Sequence, residues 1–198
     1  MRIHTTVGYY PDGPQGGRYN NTHGPDGTDV GGYPFWSGLI NGKGRHYYKN
    51  TDGRCVSNGA PLRTFTVEKG KLHRFRIVGA QSNYAFKFSI QGHKFQIYAS
   101  DGFRLKLSDP VDYLIVHSGE RYDILVRADK PSRSYWIRAE TLEVDSIAPC
   151  PHLHRADAIL KYATAPAEER EPIEMRELVP LPLHVSSSIA LSRTTPPT

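Results

Sequence analysis

The sequence predicts an all-β protein, a Greek-key β-sandwich of about eight strands, and two observations carry that prediction. First, short runs alternate apolar with polar residues and favour β-branched and aromatic types, which is typical of half-buried strands. Second, turn residues separate these runs, so strands recur about every 10 to 12 residues, as they do in sandwiches. The turns are Lys69-Gly70, Gly92-His93, Asp101-Gly102 and Ser118-Gly119.

Five runs meet this description, and they are residues 64–67, 75–77, 86–90, 122–126 and 135–139. Residues 94–99, 111–116 and 157–162 are added as further predicted strands, which gives about eight. All lie within residues 35–164, which the sequence predicts to be one domain. About eight strands suffice to close two sheets around one core. The length of 198 residues agrees, because a typical domain of about 150 residues leaves room for extended flanks.

Both ends of the chain predict long irregular arms. Residues 1–34 hold Gly, Pro and Asp turn signals with no periodic run between them. Residues 165–198 hold six prolines, which prevent a long helix and favour a linker. We therefore expect an irregular N-terminal arm, a β-sandwich domain and a Pro-rich C-terminal tail.

Composition argues against several classes of function. The net charge of +5 is mild and the signs are mixed along the chain, so nucleic acid is not an expected partner. No run approaches 18 consecutive apolar residues, so no membrane-spanning helix is expected. No serine triad, phosphate-binding loop or spaced carboxylate pair is present to support a hydrolase or a kinase.

Seven motifs in order resemble the second, middle cupredoxin-like domain of laccase-like multicopper oxidases. They are Leu39–Arg45, Pro61–Gly70, Arg74–Ala80, Ile90–Phe95, Ala99–Gly102, Gly119–Asp123 and Tyr135–Ala139. The resemblance covers about residues 35–164 and implies a cupredoxin-like fold. Within it, Asn41-Gly42 and Asp101-Gly102 are predicted tight turns, and Arg121 is predicted to bond a nearby carboxylate or loop carbonyl.

In the resembled family, copper lies in the first and third domains, held by His-x-His pairs and a His-Cys-His run. This chain has no His-Cys-His run, and its one His-x-His is His152-Leu153-His154. The resemblance therefore implies a copper-free domain with no catalytic or cofactor-binding residue of its own, although the parent family uses copper. It also implies a structural role, in which the domain holds the copper domains in register and lines a substrate groove.

One stretch nevertheless offers metal ligands. Cys150, His152 and His154 precede the last predicted strand, where simple cupredoxins carry Cys and His ligands. A blue copper site would add His93, with Ile159 where an axial ligand lies. Alternatively, His152 and His154 alone would form a surface copper or zinc site, since residues two apart on a strand face the same way.

The preferred role for the two cysteines is a disulfide between Cys55 and Cys150. Such a bridge requires an oxidising compartment. Asn20-Asn21-Thr22 is a glycosylation sequon that agrees with secretion. We therefore expect a secreted, extracellular protein.

Two further functions remain open. The chain is alternatively a stand-alone, non-enzymatic extracellular module that self-associates through sheet edges and aromatic contacts. A third interpretation is a small blue copper electron carrier that uses Cys150 and His154. Partners are therefore the other cupredoxin domains of the same parent chain, or further copies of this chain. Whether the chain is an enzyme is left open: alone we expect it to be inactive, whereas the parent family is a copper-dependent oxidoreductase.

Overall fold

A computed structural model describes residues 1–7, 22–23, 35–81, 85–142, 144–145, 155–168 and 171–173. These residues form strands, turns and loops and contain no helix. In chain order the strands are β1 (Arg2–Val7), β2 (Thr22–His23), β3 (Phe35–Ile40), β4 (Tyr47–Lys49), β5 (Cys55–Ser57), β6 (Arg63–Val67), β7 (Leu72–Gly79), β8 (Phe86–Ile90), β9 (Phe95–Ser100), β10 (Phe103–Arg104), β11 (Tyr113–Val116), β12 (Arg121–Arg127), β13 (Ser134–Thr141), β14 (Val144–Asp145) and β15 (Arg155–Tyr162). None of the described residues builds a helix with the length and apolarity that crossing a bilayer requires.

Two sheets form the body of the fold. One has six strands in the order β10-β9-β12-β7-β1-β3, and the other has five in the order β11-β8-β13-β15-β6. From β6 to β9 and again from β10 to β13, each connection carries the chain from one sheet to the other. Two small pairs, β4 with β5 and β2 with β14, lie outside these sheets. The prediction of an all-β sandwich is confirmed, and each of the eight predicted runs contains a strand.

Alternating side chains of both sheets fill one core between them. In β8 and β9 every second residue is buried, which is the pattern that one covered face produces. The largest fully buried side chains are Tyr135, Tyr162, Phe86, Phe88, Phe95, Ile40, Ile77, Ile97, Ile124, Ile137 and Leu160.

Strand β1 departs from the sequence prediction, which places residues 1–34 in an irregular arm. Residues 2–7 instead lie between β3 and β7, antiparallel to the first and parallel to the second. Four of these six residues are β-branched, namely Ile3, Thr5, Thr6 and Val7. The sequence of residues 2–7 predicted no strand because both strands that pair with it, β3 and β7, lie far away in the chain.

The two predicted tight turns are present. Asn41 and Gly42 have φ values of 50° and 75°, and Asp101 and Gly102 have values of 49° and 89°. Two successive positive φ values are the pattern of a type I′ hairpin turn, which Asn-Gly and Asp-Gly favour. The second turn brings Asp101 to Arg121, whose guanidinium lies 3.4 Å from the Asp101 carboxylate and donates to the carbonyl of Gly119 at 3.1 Å. The predicted role of Arg121 is thus confirmed.

Gly38 marks a close approach of the two sheets, because β3 packs against β15 at this point. A Cβ atom on Gly38 would overlap the Cβ of Ala156 and lie 2.9 Å from its Cα. We expect Gly38→Ala to lower the free energy of unfolding by about 1 to 3 kcal/mol through overpacking. Urea denaturation measures this change.

A second substitution that makes room for the added methyl group at residue 38 is the control for this prediction. In the Gly38→Ala background, Ala156→Gly removes the overlapping methyl group, so part of the lost stability should return. A Gly38→Ala protein as stable as the native one would contradict the close approach.

Candidate functional site

The structure describes some of the residues that the sequence proposes for a site. His93 and Ile159 are described, and Cys55 opens β5. Asn20, Cys150, His152 and His154 lie outside the described residues. The glycosylation site, the disulfide and the two metal sites that use Cys150, His152 and His154 therefore stay predictions.

His93 is buried at one end of the core, with 3% of its surface exposed. Its Nδ1 lies 2.8 Å from the backbone oxygen of Gln91, and its Nε2 lies 2.8 Å from the hydroxyl of Tyr162. Because a carbonyl can only accept, Nδ1 carries the proton and donates it to Gln91, so Nε2 of the neutral ring accepts from Tyr162. The Tyr162 oxygen in turn accepts the backbone N–H of Lys130 at 3.0 Å.

Burial lowers the pKa of His93 below its ordinary value. The bond to the Gln91 carbonyl and the charge of Asp129 oppose this change, whereas the charge of Lys130 adds to it. The Tyr162 phenol has a raised pKa, again chiefly through burial. At neutral pH the pair is therefore an uncharged phenol bonded to an uncharged imidazole.

Mild acid is expected to destabilise the protein through His93. Because the pKa of His93 is lowered in the folded protein, the unfolded chain binds the proton first as the pH falls. The stability that the neutral ring contributes is therefore fully present above the unfolded pKa of about 6.5. It is lost as the pH falls further, with a slope of up to about 1.4 kcal/mol per pH unit. Urea denaturation between about pH 7.5 and about pH 5 measures the loss, above the range in which most carboxylates titrate.

The matched variant for this pH dependence is His93→Gln, which keeps a polar side chain without a group that titrates in this range. Its stability should vary less with pH than that of the native protein. Equal slopes in the two proteins would show that His93 does not titrate differently on unfolding.

The described residues do not fit a copper site. Both ring nitrogens of His93 are hydrogen bonded to protein groups. Ile159 belongs to a separate cluster with Leu62 and Trp136, on the opposite face of its sheet from Tyr162. Within the described ranges, no group of three or more His, Cys, Asp and Glu side chains is placed to hold a metal ion.

The outer face of the five-stranded sheet carries a nearly buried charge cluster, which we call the Asp157 cluster. Asp157 is 3% exposed and accepts a hydrogen bond of 2.9 Å from Nε of Arg155. The Nε of Arg138, on the neighbouring strand, lies 3.7 Å from the other carboxylate oxygen. Tyr47 of β4 donates its hydroxyl to Asp157 at 3.3 Å. The cluster thus ties the small β4–β5 hairpin to the sheet.

Residues 171–173 form a second attachment on this face, which we call the C-terminal strap. The carboxylate of Glu171 accepts a hydrogen bond of 2.5 Å from Arg45, whose Nε also donates to the carbonyl of Ala60 at 2.8 Å. The same bond raises the pKa of Arg45 and lowers that of Glu171. Pro172 is buried, so this part of the predicted tail packs on the domain.

Gln91 joins the strap to the sheet. Its side-chain oxygen accepts the backbone N–H of Trp136 at 3.1 Å, and its side-chain nitrogen donates to the carbonyl of Ile173 at 3.2 Å. The indole of Trp136 is 5% exposed and packs with Leu62 and Ile159 in the separate cluster. The Arg138 guanidinium lies over the Trp136 ring at 5.6 Å, which connects this cluster to Asp157.

Exposed apolar side chains are frequent in the part of the chain that contains β10 and β11, each an edge strand of its sheet. Among the described residues, seven large hydrophobic side chains are exposed, and four of them lie within residues 103–115. They are Phe103, Leu107, Tyr113 and Ile115. We call this the 103–115 patch. Exposed apolar side chains on edge strands make this part of the chain a candidate for contact with another protein.

Sequence reasoning missed the Asp157 cluster and the strap. Asp157 opens the last predicted strand, and Arg155 lies two residues before it. The observed strand β15 begins at Arg155, so the two side chains face the same way. The partners Arg138, Tyr47 and Glu171 lie far away in the chain, so nothing local indicated them.

The two sheets, packed around one core, form a cupredoxin-like β-sandwich. A sequence profile described as multicopper oxidase matches residues 15–165. The chain therefore belongs to the multicopper oxidase family, and the resemblance in the sequence is confirmed at that level.

Similar proteins agree with this assignment. The chain is 38% identical over 103 residues to Laccase-4 of Thanatephorus cucumeris, covering 52% of this chain and 18% of that protein. It is 34% identical over 161 residues to Laccase-5 of Trametes villosa, covering 80% of this chain and 28% of that protein. A solved mutant of the laccase from B. aclada, 21% identical, has the same fold with a TM-score of 0.61 over 88% of this chain and 30% of its own. The chain thus spans less than a third of the length of these relatives.

Proposed function

We propose that this chain is the copper-free middle cupredoxin-like domain of a secreted, laccase-like multicopper oxidase. The observation that carries the proposal is the match to the oxidase family across the sandwich, in a chain whose buried core histidine has both nitrogens bonded to protein. In this role the domain positions neighbouring copper domains and lines part of a substrate groove. It performs no redox chemistry at copper itself, so the chain alone is inactive.

The Asp157 cluster and the C-terminal strap support a positioning role. The strap fixes residues 171–173 to the outer face of the sheet through Arg45 and Gln91. Residues 171–173 are thus held at a carbonyl, a carboxylate and a buried proline. Fixed attachment of a flanking segment is what a domain needs if it is to hold a neighbour in register.

The 103–115 patch supports a partner within the same parent protein. The backbone edge of β11 is paired on one side by β8 and has no second strand among the described residues. Tyr113 and Ile115 point outward from this edge strand, and Lys87 lies over the Tyr113 ring at 5.2 Å. A neighbouring cupredoxin domain would cover this surface. Secretion is supported by the Asn20 sequon and the predicted disulfide.

Copper loading tests the proposal on the 198-residue protein. Purified protein is incubated with Cu(II) and separately with Cu(I), freed of unbound metal by gel filtration, and analysed for copper and visible absorption. We expect well below one copper per chain and a spectrum flat in the visible. An intense visible band that Cys150→Ser abolishes would establish the blue copper alternative, and copper retention lost in His152→Ala would establish a surface site.

The natural protein supplies the second test. Its intact mass and metal content, measured on one sample, should show a chain several times the 22.2 kDa of this sequence with bound copper. A metal-free species of 22.2 kDa would instead favour a stand-alone module. In that case light scattering distinguishes a monomer from the self-associated form that the 103–115 patch would permit.

A further inference from the structure

We propose that Tyr162 and His93 form a redox-active pair, in which Tyr162 yields one electron to a strong one-electron oxidant as its phenolic proton moves to His93. The proposal goes beyond the structural role above and holds whether or not this chain carries copper. It rests on the hydrogen bond of 2.8 Å between the Tyr162 hydroxyl and Nε2 of His93.

The step balances in atoms and electrons. The O–H bond of Tyr162 breaks, and a new N–H bond forms at Nε2 of His93, which becomes an imidazolium. One electron passes to the oxidant, whose oxidation state falls by one, and Tyr162 becomes a neutral phenoxyl radical. Reduction by one electron reverses the step, and the proton returns from Nε2 to the oxygen.

The tautomer and the hydrogen-bond geometry of His93 suit a proton acceptor. The ring is neutral, and the lone pair of Nε2 already faces the proton that it would take. On the other side of the ring, Nδ1 donates to the Gln91 carbonyl at 2.8 Å. That bond strengthens when the ring becomes charged, so it stabilises the imidazolium at the moment it forms. Burial has the largest effect on the ring and opposes the imidazolium, as does the charge of Lys130, whereas the charge of Asp129 favours it.

The surroundings of Tyr162 suit a persistent radical. Its side chain is fully buried, and the backbone N–H of Lys130 donates to its oxygen at 3.0 Å, a hydrogen bond that the phenoxyl oxygen can also accept. The Tyr135 and Tyr162 ring centroids lie 5.6 Å apart, and the Tyr135 and His93 ring centroids lie 4.7 Å apart in a T-shaped arrangement. Packing of this kind keeps water and other radicals away from the phenoxyl oxygen.

Neighbouring tyrosines lack this arrangement. The hydroxyl of Tyr135 donates to the backbone carbonyl of Pro131 at 2.8 Å, and a carbonyl does not take up a proton under these conditions. Tyr47 donates to Asp157 over a longer distance of 3.3 Å, and that carboxylate also faces two guanidinium groups. Of these three tyrosines, Tyr162 is the one whose hydroxyl lies at short range from an imidazole nitrogen.

The alternative is that the bond merely satisfies two buried polar groups, so the experiment must separate proton acceptance from hydrogen bonding. His93→Gln does this, because an amide oxygen still accepts a hydrogen bond but is far less basic than an imidazole. Photogenerated tris(bipyridine)ruthenium(III) serves as the one-electron oxidant. Transient absorption follows formation of the tyrosyl radical, and EPR measures its yield and lifetime.

We expect a long-lived tyrosyl radical in the native protein that is absent in Tyr162→Phe. In His93→Gln, formation of this radical should slow by about a hundredfold or more, the usual size of a general-base contribution. Tyr113→Phe is the control, because Tyr113 is exposed and its removal should leave the long-lived signal unchanged. A long-lived radical that survives in Tyr162→Phe, or native rates in His93→Gln, would overturn the proposal.

A measurement on the unsubstituted protein keeps the test independent of whether the variants fold. Native protein labelled with ¹⁵N-histidine is oxidised in the same way, and pulsed electron–nuclear double resonance is recorded on the long-lived radical. A ¹⁵N coupling and an exchangeable proton on that nitrogen are expected. A long-lived radical without histidine coupling, or no long-lived radical at all, would overturn the assignment.

Discussion

Replacing Asp157 with alanine is expected to lower the free energy of unfolding by about 3 to 5 kcal/mol. Asp157 is 3% exposed and balances the guanidinium groups of Arg138 and Arg155, each of whose side chains is 13% exposed. Without the carboxylate, two poorly solvated positive charges lose the negative charge that Asp157 places beside them. Urea denaturation at neutral pH measures the loss.

An exposed ion pair of the same charge types is the matched control. Lys94 and Asp112 lie 3.1 Å apart with side chains 61% and 70% exposed. Because water already solvates both groups, Asp112→Ala should cost less than about 1 kcal/mol. Equal effects of Asp157→Ala and Asp112→Ala would contradict the importance of burial in the Asp157 cluster.

Replacing Cys55 with serine is expected to cost about 4 to 5 kcal/mol if the predicted bridge to Cys150 exists. The bridge would close a loop of about 95 residues, and a loop of this length strongly restricts the unfolded chain in the chain-entropy description. Denaturation is followed without reductant. Mass analysis of natively purified protein should find no free thiol.

The expected loss of stability comes from breaking the predicted disulfide and not from either side chain alone, and this can be controlled. Cys150→Ser should cost as much as Cys55→Ser, and the double variant should cost no more than either one. Reductant should destabilise the native protein and leave the double variant unchanged. Two free thiols in the native protein would end the disulfide prediction.

Local pattern was sufficient to predict most of the fold. Alternation of period two located β8, β9, β12 and β13, because one face of each strand is covered by the opposite sheet. The Asn41-Gly42 and Asp101-Gly102 turns followed from the conformational freedom of their residues. The membership in the multicopper oxidase family was also readable, since motifs keep their order along the chain.

Elements that depend on distant partners were not predictable in this way. Strand β1 and the β4–β5 hairpin are short, and their pairing or packing partners are supplied by other parts of the chain. The tail was predicted as a linker because prolines dominate it, yet Pro172 is buried where Arg45 and Gln91 hold its neighbours.

The amino-acid order by itself determined the class of fold, the positions of the tight turns and the family, because these follow from side-chain periodicity and backbone preference within a few residues. The tertiary structure alone decided what His93 and Asp157 do. His93 lies in the turn between β8 and β9 and Asp157 lies in β15. Their roles come from Tyr162, Arg138 and Tyr47, which the packing of two sheets brings within hydrogen-bonding or ion-pairing distance. Burial then sets their chemistry, since a charge or an unpaired proton acceptor removed from water must be matched by a partner that folding provides.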